Sequence, residues 1–171
     1  IAKMTRSVTK NSAGYDLQDI RRSDGSFDLT PLIVGSQGTL GVVSEVTLET
    51  ETYNPMPALV VASFKDLDTA QAAILQLRDL PDMPSCMEMV DDQLLNVVEK
   101  ISPNLLKDVV VRPYPRIIML IEFDTLGDRV QKKVVKKAEK ILEKLGATFT
   151  VEYDLLEQEK FWKIRHSSAI V

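Results

Sequence analysis

Ile117-Ile118-Met119-Leu120-Ile121 constrains the fold of this chain more than any other stretch. Five apolar residues in succession leave no polar face, so a strand built from them must be covered on both sides and lie centrally in a sheet. Its neighbours supply the rest of that sheet. Leu59 to Phe64 reads as an apolar, β-branched strand, Cys86 to Val90 as a shorter one and Ala147 to Tyr153 as an alternating one.

Helical periodicity separates these runs. Asp66 is the predicted N-cap of a helix with Leu67, Ala70, Ala73, Ile74 and Leu77 on one face, stopped by Pro81 and Pro84. Asp91 or Asp92 opens a second helix carrying Leu94, Leu95, Val97 and Val98. The strongest helix runs from about Leu126 to Leu145, with a predicted buried stripe of Val130, Val134, Ala138, Ile141, Leu142 and Leu145 and with Gly146 as its C-cap. Lys132, Lys133, Lys136, Lys137, Lys140 and Lys144 cover its remainder and read as a solvated face rather than a site for an anionic partner. A final helix starts at Leu155. The order β-α-β followed by β-α-β is the split arrangement of ferredoxin-like domains. The predicted class is therefore α+β, a ferredoxin-like antiparallel sheet with helices on one face. That fold hosts many functions and names none.

Tyr53-Asn54-Pro55-Met56-Pro57 marks the best boundary, because two closely spaced prolines break regular structure and stiffen a linker. The 171 residues suit one medium domain, or one domain with a piece of another. The net charge is -4, the basic residues form no patch with aromatics, and aromatics are 6% of the chain, which argues against nucleic acid as a partner. Cys86 is the single cysteine, so no internal disulfide and no metal-ligand set is expected. No apolar run is long enough to predict a membrane span. The chain opens at Ile1 without a signal-peptide pattern and closes at Val171 inside a helical pattern, so it reads as a fragment of a longer, cytoplasmic protein. The six methionines are scattered and read as core filler.

The chemistry concentrates before the boundary. Gly35-Ser36-Gln37-Gly38-Thr39-Leu40-Gly41 runs into the β-rich Val42 to Leu48. Three glycines in seven residues let a backbone turn sharply and approach a ligand, and such a loop feeding a strand can aim N–H groups at a phosphate or a ring edge. A tight turn before an edge strand gives the same spacing.

Two neighbouring stretches, Lys10-Asn11-Ser12-Ala13-Gly14-Tyr15-Asp16-Leu17 and Asp28-Leu29-Thr30-Pro31-Leu32-Ile33-Val34, accompany the loop. Together the three resemble the end of the flavin-binding domain in the FAD-linked oxidase family, which includes D-lactate dehydrogenases, the glycolate oxidase flavoprotein subunit and D-2-hydroxyglutarate dehydrogenases. This chain departs from the family pattern at Gln37, where Glu is usual, and by an insertion between Leu17 and Asp28. The inserted Arg21 to Ser26 reads as a polar surface loop with an Asp24-Gly25 turn.

The resemblance implies that residues 1–54 are the tail of an FAD-binding domain and residues 55–171 an incomplete substrate-side cap domain. It implies FAD as cofactor, with Gly35, Ser36, Gly38, Thr39, Gly41 and Val42 against it and Asn11, Gly14 and Tyr15 as further contacts. Phe161-Trp162-Lys163-Ile164-Arg165 resembles the family's Leu-Trp-x-x-Arg, which makes Arg165 the candidate that grips the substrate carboxylate. A planar guanidinium suits that task through two parallel hydrogen bonds. The alternative is a surface arginine pairing with Glu157 or Glu159 of its own helix. Ala169 stands where those relatives have a threonine. Glu88 and Asp91 match a family-like Glu-x-x-Asp and receive no role. Trp162 reads as packing, and His166, the only histidine, points about 100° from Arg165 on a helix and is no catalytic candidate. No catalytic residue and no metal site is expected within the chain.

The implied activity is FAD-dependent oxidation of a D-2-hydroxy acid of the lactate or glycolate type by hydride transfer, with an unidentified electron acceptor and a possible homodimer or peripheral membrane association through that acceptor. The 171 residues alone are expected to be inactive. The competing reading is a non-catalytic ferredoxin-like module that binds a small effector or dimerises. A third is an alcohol or sugar oxidase of a related flavin family.

Overall fold

A computed structural model of the chain describes residues 14–17, 20–50, 52–107 and 109–166. Asn11 and Ala169 lie outside these residues. The chain falls into two compact units, Ile1–Thr50 and Glu51–Val171. In chain order its elements are α1 (Thr30–Val34), β1 (Ala58–Phe64), α2 (Leu67–Arg78), β2 (Cys86–Asp91), α3 (Asp92–Ile101), β3 (Ile117–Phe123), α4 (Asp128–Lys144), β4 (Thr148–Glu152) and α5 (Leu155–His166).

The second unit is built on one sheet of order β2-β3-β1-β4, and every neighbouring pair is antiparallel. The apolar run of β3 is central, as its composition requires, and six of its seven residues are buried. Register places Val61 opposite Leu120 and Thr150, and Glu88 opposite Leu120 on the other side. Alternation along the two central strands then splits their side chains between two cores. Val60, Ala62, Met119 and Ile121 join Ala70, Ala73 and Leu77 of α2 and Val134, Val135, Ala138 and Leu142 of α4. Leu59, Ile118 and Leu120 join Leu95 and Val98 of α3, Leu106 and Ile164 of α5.

The ferredoxin-like, antiparallel α+β architecture is thus present, with α2 and α4 packed on one face. The opposite face is also covered, by α3, α5 and the segment between α3 and β3. In that segment Leu105, Val109, Val110 and Tyr114 pack against the second core. Arg112 ties it down by pairing with Glu99 of α3 while lying 4.7 Å over the Tyr114 ring.

Local chemistry sets the helix ends. Asp66 caps α2 by accepting the Thr69 N–H at 2.8 Å, and Asp91 caps α3 by accepting the Leu94 N–H at 2.9 Å. Beyond α4, Gly146 adopts φ +70°, a left-handed turn that lets its N–H reach Glu143 O and the Ala147 N–H reach Leu142 O, both at 3.0 Å. The α4 stripe differs from expectation at its start. Val130 is 46% exposed, while Gln131 and Val135 are buried beside Val134, Ala138 and Leu142. Gln131 is one residue, about 100°, further round the helix and on the core side. The lysines of α4 are all exposed. A hollow of about 710 Å³ among them is lined by side chains of this single helix and encloses nothing.

Two buried glutamines fasten the start of β1. Gln131 Nε2 donates to Met56 O and Phe123 O at 3.0 Å, and Gln158 Nε2 donates to Pro57 O at 2.7 Å and Glu152 O at 3.0 Å. Asn54 adds a bond to Thr125 O at 3.1 Å.

The first unit has less regular structure. The inserted loop closes through an Arg21–Phe27 bridge, an Arg22–Asp28 ion pair and the predicted turn at Gly25, which has φ +86°. Asp28 accepts the Thr30 N–H at 2.9 Å at the entry to α1, with Pro31 in the first turn of that helix. The strand expected over Val42 to Leu48 is not formed. Those residues are exposed and carry no ladder, because a strand needs a partner for its N–H and C=O groups and no described segment of this unit provides one.

Candidate functional site

Two groups of candidate residues stand out, one in each unit. In the first, α1 delivers the chain into Gly35 and Ser36, both buried, with the Ser36 N–H bonded to Ile33 O at 3.1 Å. Gln37 and Gly38 then take successive left-handed conformations, φ +52° and +79°. That geometry is favourable for glycine and uncommon for glutamine. The turn closes as the Thr39 N–H reaches Ser36 O at 3.0 Å.

The Thr39 hydroxyl donates to the same carbonyl at 2.6 Å. Its single proton is thereby used, so Tyr15 Oη, 2.6 Å from Thr39 Oγ1, is the donor in that contact. Tyr15, Ser36 and Thr39 are thus brought into one hydrogen-bonded chain. Gly14, with φ +77°, places Tyr15. Gly38 and Gly41 have no atom within 4 Å of where a Cβ would stand, and Val42 is 98% exposed. These three line an open surface and are not gathered around an enclosed cavity.

In the second unit α5 lies across the second face of the sheet and touches β4 and β2, its two edges. Twelve residues give a helix of about 18 Å, enough to cross four strands spaced at about 4.8 Å. Gln158 fixes the β4 end through Glu152 O. At the β2 end, Arg165 Nε meets Glu88 Oε2 at 2.9 Å. Glu157 of its own helix pairs with Lys160 at 2.6 Å. Phe161 and Trp162 pack against the second core, in keeping with a packing role for Trp162. His166 is exposed.

Among the described residues, no group of three or more His, Cys, Asp or Glu side chains is placed to hold a metal ion, and no helix is long and apolar enough to cross a membrane. The Glu88–Arg165 contact is the feature that sequence reasoning missed. Its one signal was the Glu-x-x-Asp spacing, which says nothing about a partner on α5.

Residues 55–170 match the family model for the C-terminal domain of FAD linked oxidases. The chain belongs to the FAD-linked oxidase family. FAD is the cofactor of that family. The chain is similar to the glycolate oxidase subunit GlcD of Escherichia coli (strain K12), 30% identical over 146 residues that are 83% of this chain and 28% of the relative. It is also similar to the mitochondrial D-lactate dehydrogenase [cytochrome] of Kluyveromyces lactis, 24% identical over 166 residues, 96% of this chain and 26% of the relative. A probable mitochondrial D-2-hydroxyglutarate dehydrogenase of Oryza sativa subsp. indica is 27% identical over 153 residues, 87% of this chain and 27% of the relative. The chain thus spans little more than a quarter of the length of these FAD-linked oxidase relatives.

The left-handed turn presents backbone rather than side chain, and nothing lies within 4 Å of where a Cβ would stand on Gly38 or Gly41, features compatible with close approach of a ligand.

Proposed function

We propose that the chain is part of an FAD-dependent dehydrogenase of D-2-hydroxy acids of the lactate or glycolate type. The observation that carries this reading is Arg165, a partly exposed guanidinium at the sheet-crossing end of α5 in a chain of the FAD-linked oxidase family. In this reading residues 1–54 are the tail of the FAD-binding domain and residues 55–171 belong to the cap domain.

Gly35, Ser36, Gly38, Thr39, Gly41 and Val42, with Gly14 and Tyr15 behind them, would hold FAD, and Asn11 joins them as a contact read from the sequence. Held by these residues, FAD would supply the acceptor for a hydride from the substrate α-carbon. The residues of this chain bind and orient. Backbone N–H groups of the 35–41 turn other than those of Gly35, Ser36 and Thr39, which are bonded to Ile33 O and Ser36 O, would be turned to negative charge on the cofactor. The Tyr15–Thr39–Ser36 chain keeps that turn in its left-handed form. The Arg165 fork takes the substrate carboxylate through charge-assisted hydrogen bonds and thereby sets which face of the α-carbon is offered. The proton-accepting base lies outside these residues, so the 171 residues alone are inactive, and electrons leave to a separate acceptor.

The visible spectrum of the full-length protein, before and after anaerobic D-lactate or glycolate, tests this. Flavin bands that bleach with either acid are the expected result. A folded, colourless protein that FAD does not reconstitute would overturn it.

A further inference from the structure

We propose that the outward face of α4 is an electrostatic docking surface for an anionic lipid bilayer. Read from the sequence, this face is merely solvated; the docked helix shows where its charges point. α4 carries seven basic and three acidic residues, a net +4 in a chain of -4, so the remaining residues together carry -8. A surplus of positive charge is thus gathered on one element of an acidic chain.

At 3.6 residues per turn, Arg129, Lys133, Lys136, Lys137, Lys140 and Lys144 fall within an arc of about 100° that contains no acid. Asp128, Glu139 and Glu143 lie together on one flank of it, with Lys132. The buried Gln131, Val134, Val135, Ala138 and Leu142 occupy the opposite side of the helix, so the arc points away from the sheet. All six of its cations are exposed, and among the described residues none of them is in an ion pair. A face that is only solvated interleaves the two signs along the helix. Here Lys133 and Lys137, Lys136 and Lys140, and Lys140 and Lys144 are like charges one turn apart. That spacing weakens a helix, and an anionic surface relieves the repulsion.

The composition of the arc favours lipid over an acidic protein. Five of its six cations are lysines, flexible point charges that need no fixed partner geometry and are depleted from protein interfaces, and it holds no aromatic residue. The hollow between the lysines is lined by α4 alone, so no second element shapes a pocket for a partner's side chain. The cations run for about 22 Å along the helix, and basic clusters of this size on an amphipathic helix suit anionic headgroups. Such attachment needs no spanning helix. Because α4 packs on the face of the sheet opposite α5, a protein held this way keeps α5 on the side away from the bilayer.

The test is sedimentation of the full-length protein with vesicles of equal parts phosphatidylcholine and phosphatidylserine, against vesicles of phosphatidylcholine alone, with thermal melting as a fold control. Binding to the mixed vesicles alone is expected, with release at about 1 M salt, where charges are screened beyond about 3 Å. The triple variant Lys133→Gln, Lys136→Gln, Lys140→Gln is expected to lower the partition coefficient about 100-fold, at about fivefold for each lysine. Its melting temperature is expected to be no lower than the parent's, since repulsion is relieved. Arginine at the same three positions keeps the charge and is expected to keep the binding.

Equal binding to both vesicle types, binding to neither, or full binding by the glutamine variant would overturn the proposal, as would loss of binding in the arginine variant. Retention of the parent on immobilised poly-glutamate without vesicle binding would also overturn it, and would identify an acidic protein as the partner instead.

Discussion

Gln131 and Gln158 hold the carbonyls of consecutive residues, Met56 and Pro57, from opposite faces of the sheet. Each glutamine also takes a second carbonyl, Phe123 O for Gln131 and Glu152 O for Gln158, so the two amides bind the entry of β1 to the ends of β3 and β4. Replacing either by Leu keeps the volume and strips the donors from two carbonyls. Gln131→Leu and Gln158→Leu are each expected to cost about 1–3 kcal/mol, the penalty of buried acceptors left without partners. Urea denaturation checks this, with a lower midpoint at unchanged slope.

Thr39 carries two contacts with one hydroxyl. Thr39→Val removes the bond to Ser36 O and leaves the Tyr15 hydroxyl without its acceptor. FAD affinity of the full-length protein, measured by flavin fluorescence on reconstitution, is expected to fall about tenfold, the loss of one to two hydrogen bonds. Thr39→Ser is expected to retain it, and equal losses in both variants would argue that the methyl group, not the hydroxyl, is what matters.

Asp66 makes the acid limb of stability predictable. Its bonds from the Thr69 N–H and hydroxyl hold its carboxyl below the ordinary value of 3.8. A carboxyl depressed on folding contributes stability that is complete above its unfolded value and is lost as pH falls through the lower folded one. Asp66→Ala is expected to lower the melting temperature at neutral pH, and the gap to the parent closes as pH drops below 3.8. A gap independent of pH would show that the cap works without its charge.

Gly146 stands at the one residue where α4 must turn left-handed into β4. Nothing lies within 4 Å of where a Cβ would be, so crowding plays no part and the cost of a side chain is backbone strain alone. Gly146→Ala is expected to destabilise by about 1 kcal/mol. Thermal melting reads this directly.

The elements legible in the sequence were those decided locally. The run from Ile117 announces a central strand, Asp66 and either Asp91 or Asp92 announce helix starts, and the periodicity from about Leu126 announces α4. What stayed illegible was decided at a distance. Gln131 breaks an apolar stripe, so periodicity assigned its place to Val130, whereas the Met56 and Phe123 carbonyls draw the amide inward. Cover on the second face of the sheet comes from α3, α5 and the loop before β3, and neither β1 nor β3 could show which segment packs there. Val42 to Leu48 has strand composition and lacks a partner among the described residues of its unit, which composition cannot reveal. Arg165 was found through its motif, yet its partner Glu88 lies on another element. Only the docking of α5 across the sheet brings the two together.

That docking ties the aim of a single side chain to the pitch of the whole sheet. Neighbouring strands turn by roughly 20–25° each, so the outer two of four differ by roughly 60–75°. A rigid rod attached at both outer strands is in effect a gauge of that angle. Flattening or coiling the sheet must slide one attachment against the other, and at the β2 end the attachment is the guanidinium of Arg165.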